Sequence, residues 1–332
     1  MSDPRIAIVG ATGAVGHEFL TVLTERKFPL RSLKLLASER SAGKKMTFRG
    51  EELTVEALGD DSFHDVDVAF FSAGGGTSRE FAPKAVKSDC VVIDNSSAFR
   101  MDDSVPLIVP EVNRAAIAGH QGILANPNCS TIILVLALQP LHAAAGLSSV
   151  VVSTYQAASG AGQRAMDELY ASTRAVLDGK PVPAPDALAQ SLAFNLFPQV
   201  DVFMDDGFTR EEDKMLYEVR KIMDLPELRV DATCVRVPVA RCHSESVAVS
   251  LKKELSVEGA QAAFAAAPGL ELVDDPQALS YPMPSGYAGR EEVGVGRVRS
   301  GRVFDPGLTF WLVGDQLKKG AALNAVQIAE AL

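Results

Sequence analysis

RIAIVGATGAVGHEFLTVL, residues 5–23, is an apolar run that ends in a glycine turn and continues with Val15, Phe19, Leu20 and Leu23 at helical spacing. That order is strand, turn, helix. Gly10, Gly13 and Gly16 fall where backbone N–H groups would approach a pyrophosphate at the positive end of a helix. The spacing is GxxGxxG rather than GxGxxG, so the turn needs support from its surroundings. Leu33–Leu36, Val66–Phe71 and Val91–Ile93 read as further strands, and those at Phe71 and Ile93 run into SAGGG and DNSS. Strands alternating with helical patterns predict a parallel sheet covered on both faces, with ligands at the carboxyl ends of its strands.

The chain has 332 residues, a length that suggests two domains. Past residue 150 the texture changes: VVVSTY, ATCVRVPVA and SVAVSL suit a larger, partly antiparallel sheet. A mixed helical stretch lies near 160–200, and the three prolines of 179–185 mark an exposed loop. The end, LKKGAALNAVQIAEAL, reads as an amphipathic helix returning to the first domain. The predicted division is 1–127 plus 312–332 for dinucleotide binding and 128–311 for catalysis. The fold class is α/β, a Rossmann-like domain followed by an α+β catalytic and dimerisation domain with a large mixed sheet.

A net charge of −10 gives no global field for nucleic acid or an anionic membrane. The N-terminus lacks the pattern of a signal peptide, and Ile132–Leu138 is far too short to span a bilayer, so a cytoplasmic protein is expected. Four cysteines, at 90, 129, 234 and 242, form neither a CxxC pair nor a disulfide framework, and no metal is expected.

Cys129 stands apart. A strand ends near Ala125, Pro127 interrupts it, and Cys129 and Ser130 precede a strongly apolar helix. A thiol at a helix start sees the positive end of the dipole, and the unpaired N–H groups there can hold an oxyanion. A buried cysteine beside a capping Asn128 or Ser130 is the competing reading. Of five histidines, His243 lies between two strand-like runs, flanked by Arg236 and Arg241. Arginines in such a segment need anions: an anionic substrate, or internal glutamates. Arg236 and His243 are seven residues apart, which places them on opposite faces of a regular strand, and Pro238 predicts a break between them. Glu211 and Lys214 share a face of a predicted helix. After the second strand, Arg40 and Ser41, with Lys44 and Lys45 nearby, favour a 2′-phosphate, whereas Glu39 would favour a free ribose.

In this order the motifs resemble the aspartate-β-semialdehyde dehydrogenase family: GATGAVG (10–16), ASERSAGKK (37–45), SAGG (72–75), DNSSAFRMD (94–102), NPNCST (126–131), YQAASGAG (155–162), EEDKMLYEVRKI (211–222), RVPVARCHSES (236–246) and GDQLKKGAALNAVQIAE (314–330). The resemblance covers essentially the whole chain. It implies Cys129 as nucleophile, His243 as acid/base, and Gln156 as a group positioning the acyl intermediate. It implies Arg236 and Glu211 on the substrate carboxylate and amine, and Arg100 and Lys214 on phosphate. It implies NADP(H) on Gly10, Thr12, Gly13, Ala14, Val15, Arg40, Ser41, Ser159, Gly160 and Gln316, with Asn324 the alternative to Gln316. The implied reaction is NADPH-dependent reductive dephosphorylation of L-aspartyl 4-phosphate by a homodimer, in the biosynthesis of lysine, methionine and threonine. The alternatives are an N-acetyl-glutamyl-phosphate reductase, against which Glu211 argues, and a non-catalytic NADP-binding sensor.

Overall fold

A computed structural model describes residues 3–332, which form two compact units, 3–128 with 321–332 and 129–320. In the first unit β1 (Arg5–Val9), α1 (Ala14–Glu25) and β2 (Ser32–Ala37) are followed by a hairpin, β3 (Lys45–Phe48) and β4 (Glu51–Ala57). Next come β5 (Val68–Phe71), α2 (Gly75–Lys87), β6 (Val91–Asp94), a short α3 (Pro110–Asn113) and β7 (Ile123–Ala125). The seven strands lie in the order β3-β4-β2-β1-β5-β6-β7. All pairs are parallel except β3 with β4, so the expected parallel sheet carries one antiparallel edge strand.

The strand period of two sorts the core into two layers. Ile6, Ile8, Val68 and Phe70 pack with α1 and the C-terminal helix Leu323–Glu330, where the rings of Phe19 and Phe70 stack at 4.8 Å. Ala7, Val9, Ala69 and Phe71 pack on the other face with Ala82 and Ala85 of α2. The chain leaves β1 toward β2 and later resumes on its other side at β5, which makes the carboxyl end of β1 a topological switch point.

The second unit begins with α4 (Cys129–Ala145), then β8 (Leu147–Gln156), α5 (Gln163–Leu177), α6 (Arg210–Met223), β9 (Arg229–Arg236) and β10 (His243–Leu251). It continues through α7 (Val257–Ala266), β11 (Leu270–Leu272), a short α8 (Pro284–Tyr287), β12 (Val293–Ser300) and β13 (Gly307–Gly314), before the chain returns to the first unit as α9, the C-terminal helix. Its sheet has the order β11-β12-β13-β10-β8-β9 and is mixed. Residues Ser130–Leu138 of α4 are all buried, which a helix apolar on every side requires. It touches β8, β10, β12 and β13 as well as α6 and α7.

The expected return at residue 312 is corrected. Leu312 lies inside β13, opposite Glu245 of β10, so the second unit extends to Gly320. Residues 179–185 are exposed and irregular. Among the described residues no helix is long and apolar enough to cross a membrane, and no cluster of side chains could hold a metal ion.

Candidate active site

In the first unit the carboxyl ends of β1, β2 and β5 surround a cavity of about 400 Å³, with Gly10, Thr12, Gly13, Ser38 and Ser72 in its wall. Gly10 has φ +89°, and a Cβ there would lie 2.4 Å from the Ser72 carbonyl oxygen, so only glycine permits this approach of turn to strand. Gly13 precedes α1 without a side-chain cap, leaving first-turn N–H groups for a ligand. Arg40 is exposed on a 3-10 turn, Glu39–Ser41, and the Thr12 hydroxyl donates to Ser41 Oγ at 3.4 Å. Ala14 and Val15 open α1. This glycine cradle, walled by apolar and hydroxyl side chains, fits a dinucleotide.

Arg100 is also in this unit. It is buried, and its Nε and Nη2 donate to the carbonyls of Asn126 and Asn95, both at 2.9 Å.

In the second unit the expected residues converge on one end of the sheet. β9 and β10 flank β8 on opposite sides. Arg236 pairs with Gln156 in register, and Ser244 pairs with Tyr155, which puts His243 on the other side of Gln156. The odd spacing of Arg236 and His243 is thereby resolved: they end one strand and begin another. Cys129 is the first residue of α4. Burial lowers the pKa of Arg236, and nearby Glu211, followed by Cys129, opposes that lowering.

Gln156, 1% exposed, links these parts. Its Nε2 donates to Ser130 Oγ at 2.8 Å and to Glu211 Oε1 at 3.2 Å. Lys214 Nζ donates to Glu211 Oε2 at 2.9 Å and to Asp201 Oδ2 at 2.7 Å. Glu211 and Lys214 are thus neighbours on α6, whose start is fixed by a capping box of Thr209 and Glu212. Arg236 Nη1 donates to the Ala157 carbonyl at 2.6 Å.

His243 is fully buried, and Nδ1 accepts from the Ala157 N–H at 3.0 Å. Burial, reinforced by Arg236, lowers its pKa to about 3. The ring is therefore neutral, and because Nδ1 is an acceptor the proton sits on Nε2. Nε2 has no hydrogen-bond partner among the described residues. In the free protein His243 thus presents a neutral Nε2–H.

Ser159, Gly160 and Gln316 surround this histidine. A Cβ on Gly160 would lie 3.0 Å from His243 Cε1 and 3.1 Å from both His243 Nε2 and Arg236 Nη1. Gln316 Nε2 donates to Ser159 Oγ, and its Oε1 accepts from the Cys242 N–H at 2.8 Å. Cys242 has φ +78°, an uncommon conformation held immediately before His243. Asn324, the alternative to Gln316, is instead engaged with Asn126 and Ile108.

The other cysteines behave as packing residues. Burial pushes the thiols of Cys90 and Cys242 up to about 12, and that of Cys234 higher still. Arg241 meets an internal anion, Asp315, at 2.6 Å, so of the two flanking arginines Arg236 alone is matched to the site. Sequence reasoning missed Asp201 and Asp315, and it read Ser130 as a possible cap without its bond from Gln156. Buried Asp315 also accepts from the backbone N–H of Gly289, Leu317 and Lys318 and so fixes the Gln316 turn. Its only sequence signal is its place beside Gln316.

Two family models match the chain: "Semialdehyde dehydrogenase, NAD binding domain" over residues 5–120 and "Semialdehyde dehydrogenase, dimerisation domain" over 138–319. Aspartate-semialdehyde dehydrogenase of Aquifex aeolicus is 55% identical over 331 residues, 99% of this chain and 97% of that protein. The enzyme of the same name from Bacillus subtilis is 50% identical, over 99% of this chain and 97% of that one. The crystal structure of aspartate semialdehyde dehydrogenase II from Vibrio cholerae, complexed with ASA, superposes with a TM-score of 0.97 at 44% identity, covering 100% of this chain and 98% of that one.

Proposed function

Because this chain belongs to the aspartate-semialdehyde dehydrogenase family, we propose that it reduces L-aspartyl 4-phosphate to L-aspartate 4-semialdehyde and phosphate, reversibly, through a thioester on Cys129. The observation that carries this reading is the convergence of Gln156, Arg236, Glu211 and an Nε2–H tautomer of His243 at the end of one sheet, with Gln156 bonded to the second residue of the helix that Cys129 begins.

Arg236 grips the substrate α-carboxylate and Glu211 its ammonium group. A buried carboxylate at 211 suits a free amine and gains nothing from an N-acetyl group. Holding the substrate by these groups places its acyl carbon at Cys129. The helix N-terminus favours the thiolate. Its sulfur forms a bond to the acyl carbon, and the carbonyl π pair moves to oxygen, where His243 Nε2–H and helix-start N–H groups receive it. The oxyanion collapses, the carbon–phosphate oxygen bond breaks, and phosphate departs to its ligands, Arg100 and Lys214. Gln156 orients the resulting thioester.

When bound, NADPH supplies the hydride that reduces this carbon. Gly10, Thr12, Gly13, Ala14 and Val15 would hold its pyrophosphate and Arg40 and Ser41 its 2′-phosphate; the family resemblance adds Ser159, Gly160 and Gln316 as contacts. The alkoxide then expels the Cys129 thiolate and becomes the aldehyde. One proton is consumed overall, and the released phosphate takes it. No step demands a proton from His243, so a neutral donor suffices. The product is an intermediate for lysine, methionine and threonine synthesis.

We also infer a homodimer through the second unit. Val151 on its sheet is 41% exposed, and Phe194, Leu196 and Phe203 are more so, an apolar surface that a second copy would cover.

The test is Cys129→Ala. Phosphate-dependent oxidation of the semialdehyde should vanish while NADPH still binds. Wild-type turnover by this variant would end the proposal.

A further inference from the structure

Helix α9 is apolar where it faces the core, with Leu323, Ala325, Val326 and Ile328 all buried, yet its second residue is a fully buried asparagine. Asn324 Nδ2 donates to the Ile108 carbonyl at 2.9 Å and to Asn126 Oδ1 at 2.7 Å. Asn126, equally buried, donates through Nδ2 to Asn95 Oδ1 at 2.6 Å and to the Ala321 carbonyl at 3.3 Å. The backbone carbonyls of these same two residues, Asn126 and Asn95, receive Nε and Nη2 of Arg100. All of these groups belong to the first unit.

We propose that Asn324, Asn126 and Asn95 form a relay of side-chain amides that fixes the plane of the Arg100 guanidinium, making Asn324 a positioning residue for phosphate. The inference rests on the assignment of Arg100 to phosphate under the proposed function. A guanidinium is a planar fork, so donors placed on these two carbonyls constrain its plane. Those carbonyls follow β6 and β7, and the Asn126 N–H is already tied to the Asp94 carbonyl at 2.8 Å. The side-chain relay adds a cross-tie between the two residues and anchors it to α9. A stability role alone would be served by an apolar side chain at 324, since a buried amide gains only when its bonds are made. A complete relay through the two residues whose backbone carbonyls hold the arginine has a use in aiming that arginine.

The experiment is phosphate-dependent oxidation of aspartate semialdehyde by the full-length protein. Asn324→Ala should raise KM for phosphate about tenfold and leave KM for the semialdehyde within about twofold. Arg100→Ala should raise KM for phosphate on its own, and adding Asn324→Ala to it should bring no further rise, because Asn324 acts through Arg100. Asn95→Ala, at a half-buried position, removes one acceptor of the relay and should give a smaller rise of the same kind if Asn324→Ala does not fold. An unchanged phosphate KM in both relay variants, or effects that multiply in the double variant, would overturn the relay. A wild-type protein that oxidises the semialdehyde without needing phosphate would instead overturn the parent assignment.

Discussion

Gly160→Ala is a small change aimed at the reacting groups. The added methyl would sit 3.0–3.1 Å from His243 Cε1, His243 Nε2 and Arg236 Nη1. Comfortable contact begins at ~3.5 Å, so the imidazole and guanidinium must each retreat by about half an ångström. A misplacement of about 1 Å costs on the order of 100-fold in rate, so half of it should cost roughly tenfold, about 1.4 kcal/mol of transition-state stabilisation. Gly160 is not among the glycines of positive φ, so alanine adds no backbone strain there, and any fall in melting temperature comes from the crowding of buried His243 and Arg236 alone. Gly162→Ala is the control: φ is +91° and a Cβ there meets nothing within 4 Å. That variant should lose about 1–3 kcal/mol of stability through backbone strain and keep the wild-type kcat. Steady-state kinetics with both substrates, paired with thermal melts, separates the two effects. Wild-type kcat in Gly160→Ala would show that the methyl does not displace the pair, and the close packing of residue 160 against His243 and Arg236 would be refuted.

Three further variants bear on the electrostatics. His243→Gln keeps an N–H donor and should retain much more kcat than His243→Ala, which should lose about 100–1,000-fold. With the imidazole held near 3 by burial and Arg236, the wild-type pH–rate profile should show no limb near the usual histidine value; such a limb, or equal loss in both variants, would restore a proton-transfer role. Glu245 is fully buried, neither carboxyl oxygen has a partner among the described residues, and burial pushes its pKa well above the usual carboxylate range. The folded state therefore keeps a proton that the unfolded chain releases above ~4.3, so the stabilising contribution is complete below that pH and is lost as pH rises toward the folded value. Glu245→Gln should gain stability relative to wild type as pH rises from 5 to 8, in melts at ~0.15 M salt, and a pH-independent difference would count against a neutral Glu245. Arg40→Ala should weaken NADPH about 10–100-fold, the worth of a hydrogen bond to a charged group, with NADH unchanged; parallel losses would mean that the 2′-phosphate is not read at this turn.

How much of the fold and site was legible in the sequence depends on how far apart the interacting residues lie. The strand–glycine–helix beginning was readable because its signals are local and periodic. The hairpin β3–β4 was not: each strand carries one short alternation, Met46 and Phe48 in Lys45–Phe48 and Leu53 and Val55 in Glu51–Ala57, too brief among charged residues to stand out from a loop. Strand β12 was hidden by its glycines. A Cβ at Gly294 would strike the Tyr287 ring at 2.3 Å, and one at Gly296 the Val273 carbonyl oxygen at 2.2 Å, so close approach replaces side-chain packing on that face and leaves only Val293 and Val295 as a pattern to read. Arg236 and His243 could be named from type and neighbourhood, but their joint placement depends on β8, some 80 residues earlier, lying between them.

The same contrast explains why one thiol could be singled out and its supports could not. A cysteine at the start of a helix is a local pattern, and the three other thiols, raised by burial, lie in or beside strands. What would place a carbonyl in front of Cys129 under the proposed function is not local. Gln156 ends a strand and bonds the second residue of α4, while Glu211 on α6 takes the other Nε2 hydrogen and hands its second oxygen to Lys214. Helix, sheet and a second helix are joined through one amide. A shift of α6 would therefore displace Glu211 and Lys214, the proposed amine and phosphate ligands, together and break the bond from Gln156 to Glu211. Under the proposed roles, substrate recognition and the approach to Cys129 are set by the same few hydrogen bonds, and a substrate that fails to engage Glu211 should lose alignment at Cys129 as well as affinity.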